Sequence, residues 1–330
     1  MIAFLGQGRM GAPMARRLVA AGHKVTTWRR GTGVPAATAV AGADLVITML
    51  SDPAAVREVL TAALPGLRPG ATVVEMSTIG PEAVHELRAL LPAEVGLVDA
   101  PVLGGVGPAA DGTLTVLAGG DLSGCREVLS VFGSVRELGP LGSGAAMKIA
   151  VMSAMVPAQV LLAETYAYGR AHGVDREALI DVLSGTPLGV LAERLRVPSE
   201  ETRYSLAHAV KDLELGAWDG GSLATAARTR LQEARAAGYG GRDLTSVVEH
   251  VEGGQVIARI LADQGATFGD IAFIRTYLTD MDARAEYGAV RRKYITGTPP
   301  ASTTVEVSKL FMPGLLLEVD LIVALSPGGR

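Results

Sequence analysis

The chain opens on Ile2-Ala3-Phe4-Leu5, which runs without a break into Gly6-Gln7-Gly8-Arg9-Met10-Gly11, and this junction constrains the fold more than any other feature. Four apolar residues make a strand, and the spacing from Ala12 to Ala21 is that of a helix. In such a turn the first glycine permits a tight reversal, the second lets backbone approach a phosphate, and the third lets the helix close on the strand. The N–H groups and dipole at the helix start favour an anionic pyrophosphate. Many glycine-rich turns bind nothing. Placed between a first strand and a first helix, this one points to a dinucleotide.

Short β-rich runs follow at Lys24 to Trp28, Leu45 to Leu50, Thr72 to Met76, Gly96 to Asp99 and Leu114 to Ala118, with helical patterns between them. That alternation predicts an α/β fold, a doubly wound parallel sheet with helices on both faces, over residues 1–142. After Gly142-Ser143-Gly144 the texture becomes Ala/Met/Leu-rich and helical from Ala145 to about Gly173, then helical again to about Val251, giving an all-helical domain over 143–252. Residues 253–330 read as a small α+β unit: a helix from Gln255 to Asp263, strands at Ile271 to Leu278, Thr303 to Val307 and Leu315 to Ala324, and a helix from Asp282 to Tyr294. The longest apolar run, Ile149 to Leu162, is interrupted by Ser153, Pro157 and Gln159 and is too short for a bilayer span, so it is expected as a buried helix rather than a membrane segment.

Where an NAD-selective fold places Asp or Glu after the second strand, this chain has Arg29-Arg30-Gly31-Thr32. Guanidinium groups pair with a ribose 2′-phosphate, so NADP(H) is favoured over NAD(H); the plainer alternative is a solvated basic turn. A net charge of -4 and no Lys/Arg run argue against nucleic acid and for a small-molecule partner. The single cysteine, Cys125, excludes an internal disulfide, and with no cationic leader before the first strand the expectation is a cytoplasmic protein. His23, His85, His172, His208 and His250 lack metal-ligand spacing, so no metal is expected.

With the turn in place, Ile47-Thr48-Met49-Leu50-Ser51-Asp52, Glu75-Met76-Ser77-Thr78-Ile79-Gly80-Pro81, Asp99-Ala100-Pro101-Val102-Leu103-Gly104-Gly105 and Gly112-Thr113-Leu114-Thr115 together resemble the β-hydroxyacid dehydrogenases, within the 6-phosphogluconate dehydrogenase-like group and related to imine reductases. The resemblance covers about 1–250. It implies a Rossmann domain, a helical domain joined by a long helix, and NAD(P)-dependent reduction of a small carbonyl. By position, Met49, Leu50, Ser51, Ser77 and Thr78 would border the cofactor, Gly104 and Gly105 would offer backbone donors to substrate, and Lys148 matches the family's catalytic lysine. A lysine among Ala, Met, Ile and Val is costly to desolvate, so it needs an anionic partner, a lowered pKa or a route to water. There it can protonate a developing alkoxide or amine; the alternative is a lysine snorkelling from a helix edge. Lys211-Asp212-Leu213 matches a second family motif near the cofactor, with an ordinary surface ion pair as its alternative.

Two departures bear on substrate. The family's asparagine one helical turn after the lysine is Met152, and its loop serine is Leu103, so the site is expected to be more apolar than one for a simple hydroxy acid. That keeps an imine C=N open beside an aldehyde or keto-acid C=O, although imine reductases usually lack a lysine at the position of Lys148. A non-catalytic dinucleotide-binding or assembly protein is the remaining alternative.

Ile274 to Asp280, Pro299 to Val307 and Leu317-Glu-Val-Asp320 resemble the C-terminal half of the Rid (YjgF-like) imine deaminases. The family's substrate-binding arginine is Ser302 here, while Glu318 matches a family acid. A partial unit leaves strand edges and one sheet face uncovered, which predicts a homo-oligomer.

Overall fold

A computed structural model of the chain describes residues 1–252, 261, 266–295, 297–310 and 317–324, with the side chains of Glu286, Val290 and Lys293 left aside. Most of the helix expected from Gln255 to Asp263, and the start of the last expected strand, lie outside these residues. Contacts divide the chain into two compact units, residues 1–158 with 201–229, and 159–200 with 230–330.

In the first unit β1 (Ile2–Leu5), α1 (Gly11–Ala20), β2 (Val25–Trp28), α2 (Ala36–Val40), β3 (Leu45–Thr48), α3 (Pro53–Ala63), β4 (Thr72–Glu75), α4 (Gly80–Leu90) and β5 (Gly96–Asp99) follow one another. The strands form a five-stranded sheet in the order β2-β1-β3-β4-β5, parallel throughout. Because side chains alternate along a strand, the sheet feeds two cores. Phe4, Ile47, Val74 and Val98 pack with Met14 and Leu18 of α1, while Leu5, Val46, Val73 and Leu97 pack with Val56 and Leu60 of α3 and Val84 and Leu87 of α4. Each fully buried side chain of this size contributes about 1.5–3 kcal/mol. This is the doubly wound α/β arrangement expected.

β6 (Val102–Leu103), α5 (Val106–Asp111), β7 (Leu114–Ala118), α6 (Arg126–Ser130) and β8 (Gly133–Glu137) continue the unit. The run Leu114 to Ala118 is a strand, but it heads no extension of the parallel sheet. It lies between β6 and β8 in a separate three-stranded sheet, antiparallel to β6 and parallel to β8. An isolated bridge from Asp99 to Gly119 ties this sheet to the end of β5.

The expected long helix is α7 (Ser143–Ala171), unbroken by Pro157. By length and composition it is long and apolar enough to cross a bilayer, with a mean hydropathy of 1.6 in its most apolar stretch, and 44% of that stretch is buried in the protein. Its first half belongs to the first unit, as do α10 (Leu206–Leu215) and part of α11 (Ser222–Ala236), while α8 (Arg176–Ser184) and α9 (Gly189–Arg194) belong to the second. In the second unit the Tyr166 hydroxyl donates to the Ala192 carbonyl at 2.9 Å, and Arg176 donates to the carbonyls of Leu195 and Arg196 and to Glu252.

The tail carries β9 (Ile271–Leu278), α12 (Arg284–Tyr294), β10 (Ala301–Glu306) and β11 (Leu317–Val323), in a mixed sheet ordered β10-β9-β11. Ile271 and Ile274 pack with Leu261, Ala266, Phe268 and Ile295, whereas Ile322 is 60% exposed. Ser302 stands opposite Ile274 and Glu318 opposite Tyr277, so the two matched deaminase positions fall on opposite faces of the sheet.

Candidate active site

The glycine turn divides its labour as the spacing implies. Gly6 has φ 111°, and a Cβ built on it would lie 2.2 Å from the Met49 carbonyl oxygen. One on Gly11 would lie 2.0 Å from the Gly6 oxygen. The chain's own packing therefore requires both glycines. A Cβ on Gly8 would meet nothing within 4 Å, which leaves open space over the backbone where a pyrophosphate would come close. α1 has no side-chain cap at Met10 and no acidic residue in its first turn, so no carboxylate of its own competes for the helix dipole. Gln7 donates to the Gly6 carbonyl at 3.4 Å, and Arg9 reaches the Thr202 carbonyl at 2.6 Å.

After β2 the Trp28 indole donates to the Val34 carbonyl at 2.7 Å and closes the loop that carries Arg29 and Arg30, both exposed. Arg30 lies 3.5 Å from Glu58, with both side chains more than half exposed. Such a pair is worth at most about 1 kcal/mol and yields readily to a phosphate.

At the ends of β3 and β4, Met49 N donates to the Leu5 carbonyl and Leu50 N to the Ser77 hydroxyl, at 2.9 and 2.8 Å. Asp52 caps α3 through Ala55 N, and the Ser51 hydroxyl donating to it holds its carboxyl below the usual range. Glu75, at the end of β4, is buried, and burial pushes its carboxyl up to about 7. From α10, Lys211 donates to the Thr78 carbonyl at 2.6 Å and lies 2.9 Å from an Asp212 carboxylate oxygen. Asp212 is buried, so this is no ordinary surface pair. Its other oxygen accepts from the Tyr204 hydroxyl at 2.6 Å, and burial together with that carboxylate pushes the phenol well up.

Lys148 sits in the second turn of α7, half-buried, and donates to the Val102 carbonyl at 2.9 Å. Burial lowers its pKa, the Asp212 carboxylate raises it, and Lys211 lowers it. An ammonium carries three N–H donors, one of which is on Val102. The helix carrying it is anchored by Asp99, whose two carboxylate oxygens accept from Gly142 N and Ala145 N at 2.7 Å each. α10 lies against α7 so closely that a Cβ on Gly216 would be 2.8 Å from Ile149 and 2.9 Å from the Ser153 hydroxyl. Met152 is buried one turn beyond Lys148, and Leu103 is half-buried in β6, next to the Val102 that holds the lysine. Gly104 and Gly105 link β6 to α5, and Gly105 has open space where a side chain would be. His208 bonds Ser205, the cap of α10, and among the described residues no three His, Cys, Asp or Glu side chains gather as for a metal ion.

Thus the first unit brings the glycine turn, Ser77, Thr78, Lys211, Lys148, Leu103 and Met152 into one folded body. Asp99, Tyr204 and Glu75 were given no role by sequence reasoning, and Asp212 was read only as part of the Lys211-Asp212-Leu213 motif. Asp99 could have been given one: an acid at a strand end, with a glycine-rich helix start far along the chain, is a capping pattern. Tyr204 carries no such signal.

The family model for the NAD binding domain of 6-phosphogluconate dehydrogenase matches residues 1–138, and that for endoribonuclease L-PSP, to which Rid-like proteins belong, matches 248–325. A probable 3-hydroxyisobutyrate dehydrogenase of Mycobacterium tuberculosis is 37% identical over 202 residues, 56% of this chain and 69% of the relative. The solved structure of a Mycobacterium tuberculosis 3-hydroxyisobutyrate dehydrogenase with L-serine is similar with a TM-score of 0.67 at 30% identity, over 76% of this chain and 98% of that one. A reductive aminase of Aspergillus terreus, solved with NADPH and ethyl levulinate, shares the fold with a TM-score of 0.51 at 22% identity, over 76% and 98%. The chain therefore belongs to the 3-hydroxyisobutyrate dehydrogenase-like family of NAD(P)-dependent oxidoreductases and carries a Rid-like segment behind the dehydrogenase region.

Proposed function

We propose that the enzyme reduces the C=O of a small aldehyde or keto acid with NADPH, and that Lys148 supplies the proton. The observation that carries this reading is the half-buried Lys148 ammonium, held on the Val102 carbonyl with the buried Asp212 carboxylate acting on it. Gly6, Gly8 and Gly11 fit a pyrophosphate, and Met49 to Ser51, Ser77 and Thr78 would border the rest of the dinucleotide. A bound nicotinamide supplies the hydride. Lys148 stabilises the developing alkoxide and gives it a proton, while Asp212 keeps the ammonium charged against its burial. Gly104 and Gly105 would orient the substrate by backbone N–H groups.

A second reading rests on Leu103 and Met152, which make this neighbourhood less polar than a carboxylate site and suit a cyclic imine or a less polar carbonyl. NADPH consumption over a panel of semialdehydes, keto acids and cyclic imines separates the two. The first reading expects turnover on the acids; turnover confined to imines contradicts it, and cofactor binding without any turnover makes the chain an assembly protein.

Arg29 and Arg30 are proposed to select NADPH. Replacing both with alanine should lower kcat/KM for NADPH about 10- to 100-fold, as expected for losing charge-assisted bonds of 1.5–3 kcal/mol. NADH kinetics should barely change. An equal loss with both cofactors would contradict a 2′-phosphate contact.

The β10 and β11 edges lack a strand partner among the described residues, which supports a homo-oligomer. Sedimentation of the full chain as a monomer at micromolar concentration would remove that proposal.

A further inference from the structure

Glu75 is 1% exposed and holds two loops at once. Its Oε1 accepts from Ser77 N at 2.6 Å, and its Oε2 accepts from the Thr48 hydroxyl. Thr48 ends β3 just before Met49-Leu50-Ser51, and the Ser77 hydroxyl accepts from Leu50 N at 2.8 Å. Glu75 thus closes a ring of bonds between the carboxyl ends of β3 and β4, the edge of a parallel sheet where ligands bind. Beside the ring, the Thr78 carbonyl holds the Lys211 ammonium. We propose that Glu75 is a positioning residue that locks these two loops together and takes up a proton when the dinucleotide binds. The inference rests on the reading of Met49 to Ser51, Ser77 and Thr78 as cofactor contacts.

Both charge states of this acid can be fully bonded. Ionised, it accepts from the Thr48 hydroxyl; protonated, its Oε2–H donates to Thr48 Oγ, whose own hydrogen turns to the Val74 carbonyl 3.4 Å away. Lys211 on α10 is the charged group acting on it, while β3 and the loop after β4 face it with the neutral Thr48 and Ser77. Burial pushes the carboxyl up to about 7, so both forms are populated at neutral pH. An arriving dinucleotide adds negative charge and excludes water, and both effects penalise the carboxylate. The bound-state pKa is therefore higher than the free one. Affinity is then greatest below about pH 7 and weakens as pH rises from the free towards the bound value, by about tenfold per pH unit at most.

Dissociation constants for NADPH and NADH, measured by calorimetry from pH 6 to 9 on the full chain, test this when wild type is compared with Glu75→Gln and Glu75→Ala. Unfolding temperatures are taken at each pH. The wild-type Kd should rise about tenfold over the range. Glu75→Gln mimics the protonated acid and should keep the low-pH affinity throughout. Glu75→Ala should bind at least about tenfold more weakly. Titration of the cofactor's own 2′-phosphate appears equally in wild type and Glu75→Gln, so the difference between them isolates Glu75. A shifted unfolding temperature with identical pH slopes in wild type and Glu75→Gln would overturn the proposal, as would wild-type affinity in Glu75→Ala. Wild type binding neither dinucleotide would overturn the cofactor reading itself, and this inference with it.

Discussion

Replacing Lys148 with alanine should lower kcat by about 10²–10⁴-fold, the usual worth of a positioned general acid, while NADPH affinity stays within about threefold of wild type. The split follows from the bond the residue makes: its ammonium donates to the Val102 carbonyl, and the glycine turn that would hold the pyrophosphate is built from other residues. The pH profile carries the same signature. The acid form of Lys148 is the charged one, and burial lowers its pKa from 10.5, so the basic limb of kcat/KM should fall at a pH below that of an ordinary lysine. The same sign holds for stability: charging this group costs the fold, and the cost fades as pH rises through the lowered pKa. Steady-state kinetics on the variant, with a cofactor titration alongside, checks both halves. Near-normal turnover would remove Lys148 from the mechanism.

The glycine turn yields the second large effect, and its three positions should respond differently. Gly11→Ala drives a methyl into the Gly6 carbonyl and should destabilise the first unit by about 1–3 kcal/mol or more, measured by urea unfolding. Gly8→Ala meets no protein atom, so stability should be unchanged or raised by up to about 1 kcal/mol. Its methyl nevertheless fills the space proposed for the pyrophosphate, and NADPH affinity should fall at least about tenfold, or roughly 1.4 kcal/mol. A Gly8→Ala protein that is stable and binds normally would mean that the phosphates pass elsewhere.

Much of this architecture was legible because it is local. The glycine turn, all five parallel strands, and the tail strand Ile271–Leu278 each announce themselves by composition and period. The sheet to which Leu114–Ala118 belongs did not, because strand pairing depends on residues distant in sequence: the two-residue β6 is too short to carry a pattern, and β8, Gly133–Glu137, has a single apolar side chain, Val135. The same holds at the site. Lys148 was marked by its match to the lysine of the family the chain resembles, with its apolar neighbours as support, and Arg29 and Arg30 stood out as the wrong charge for an NAD site. Asp99, which caps α7 across more than forty residues, and Tyr204, which bonds Asp212, become meaningful only once the fold places them. Glu75 reads as any strand-end acid until its burial is known.

The most direct test of the central claim is a single turnover with NADPH carrying deuterium at both C4 positions of the nicotinamide, using the best substrate of the panel. The account predicts one deuterium on the former carbonyl carbon of the alcohol product in wild type, and a markedly slower transfer with unchanged cofactor binding in Lys148→Ala. Product free of deuterium, or equal transfer rates in the two proteins, would contradict it.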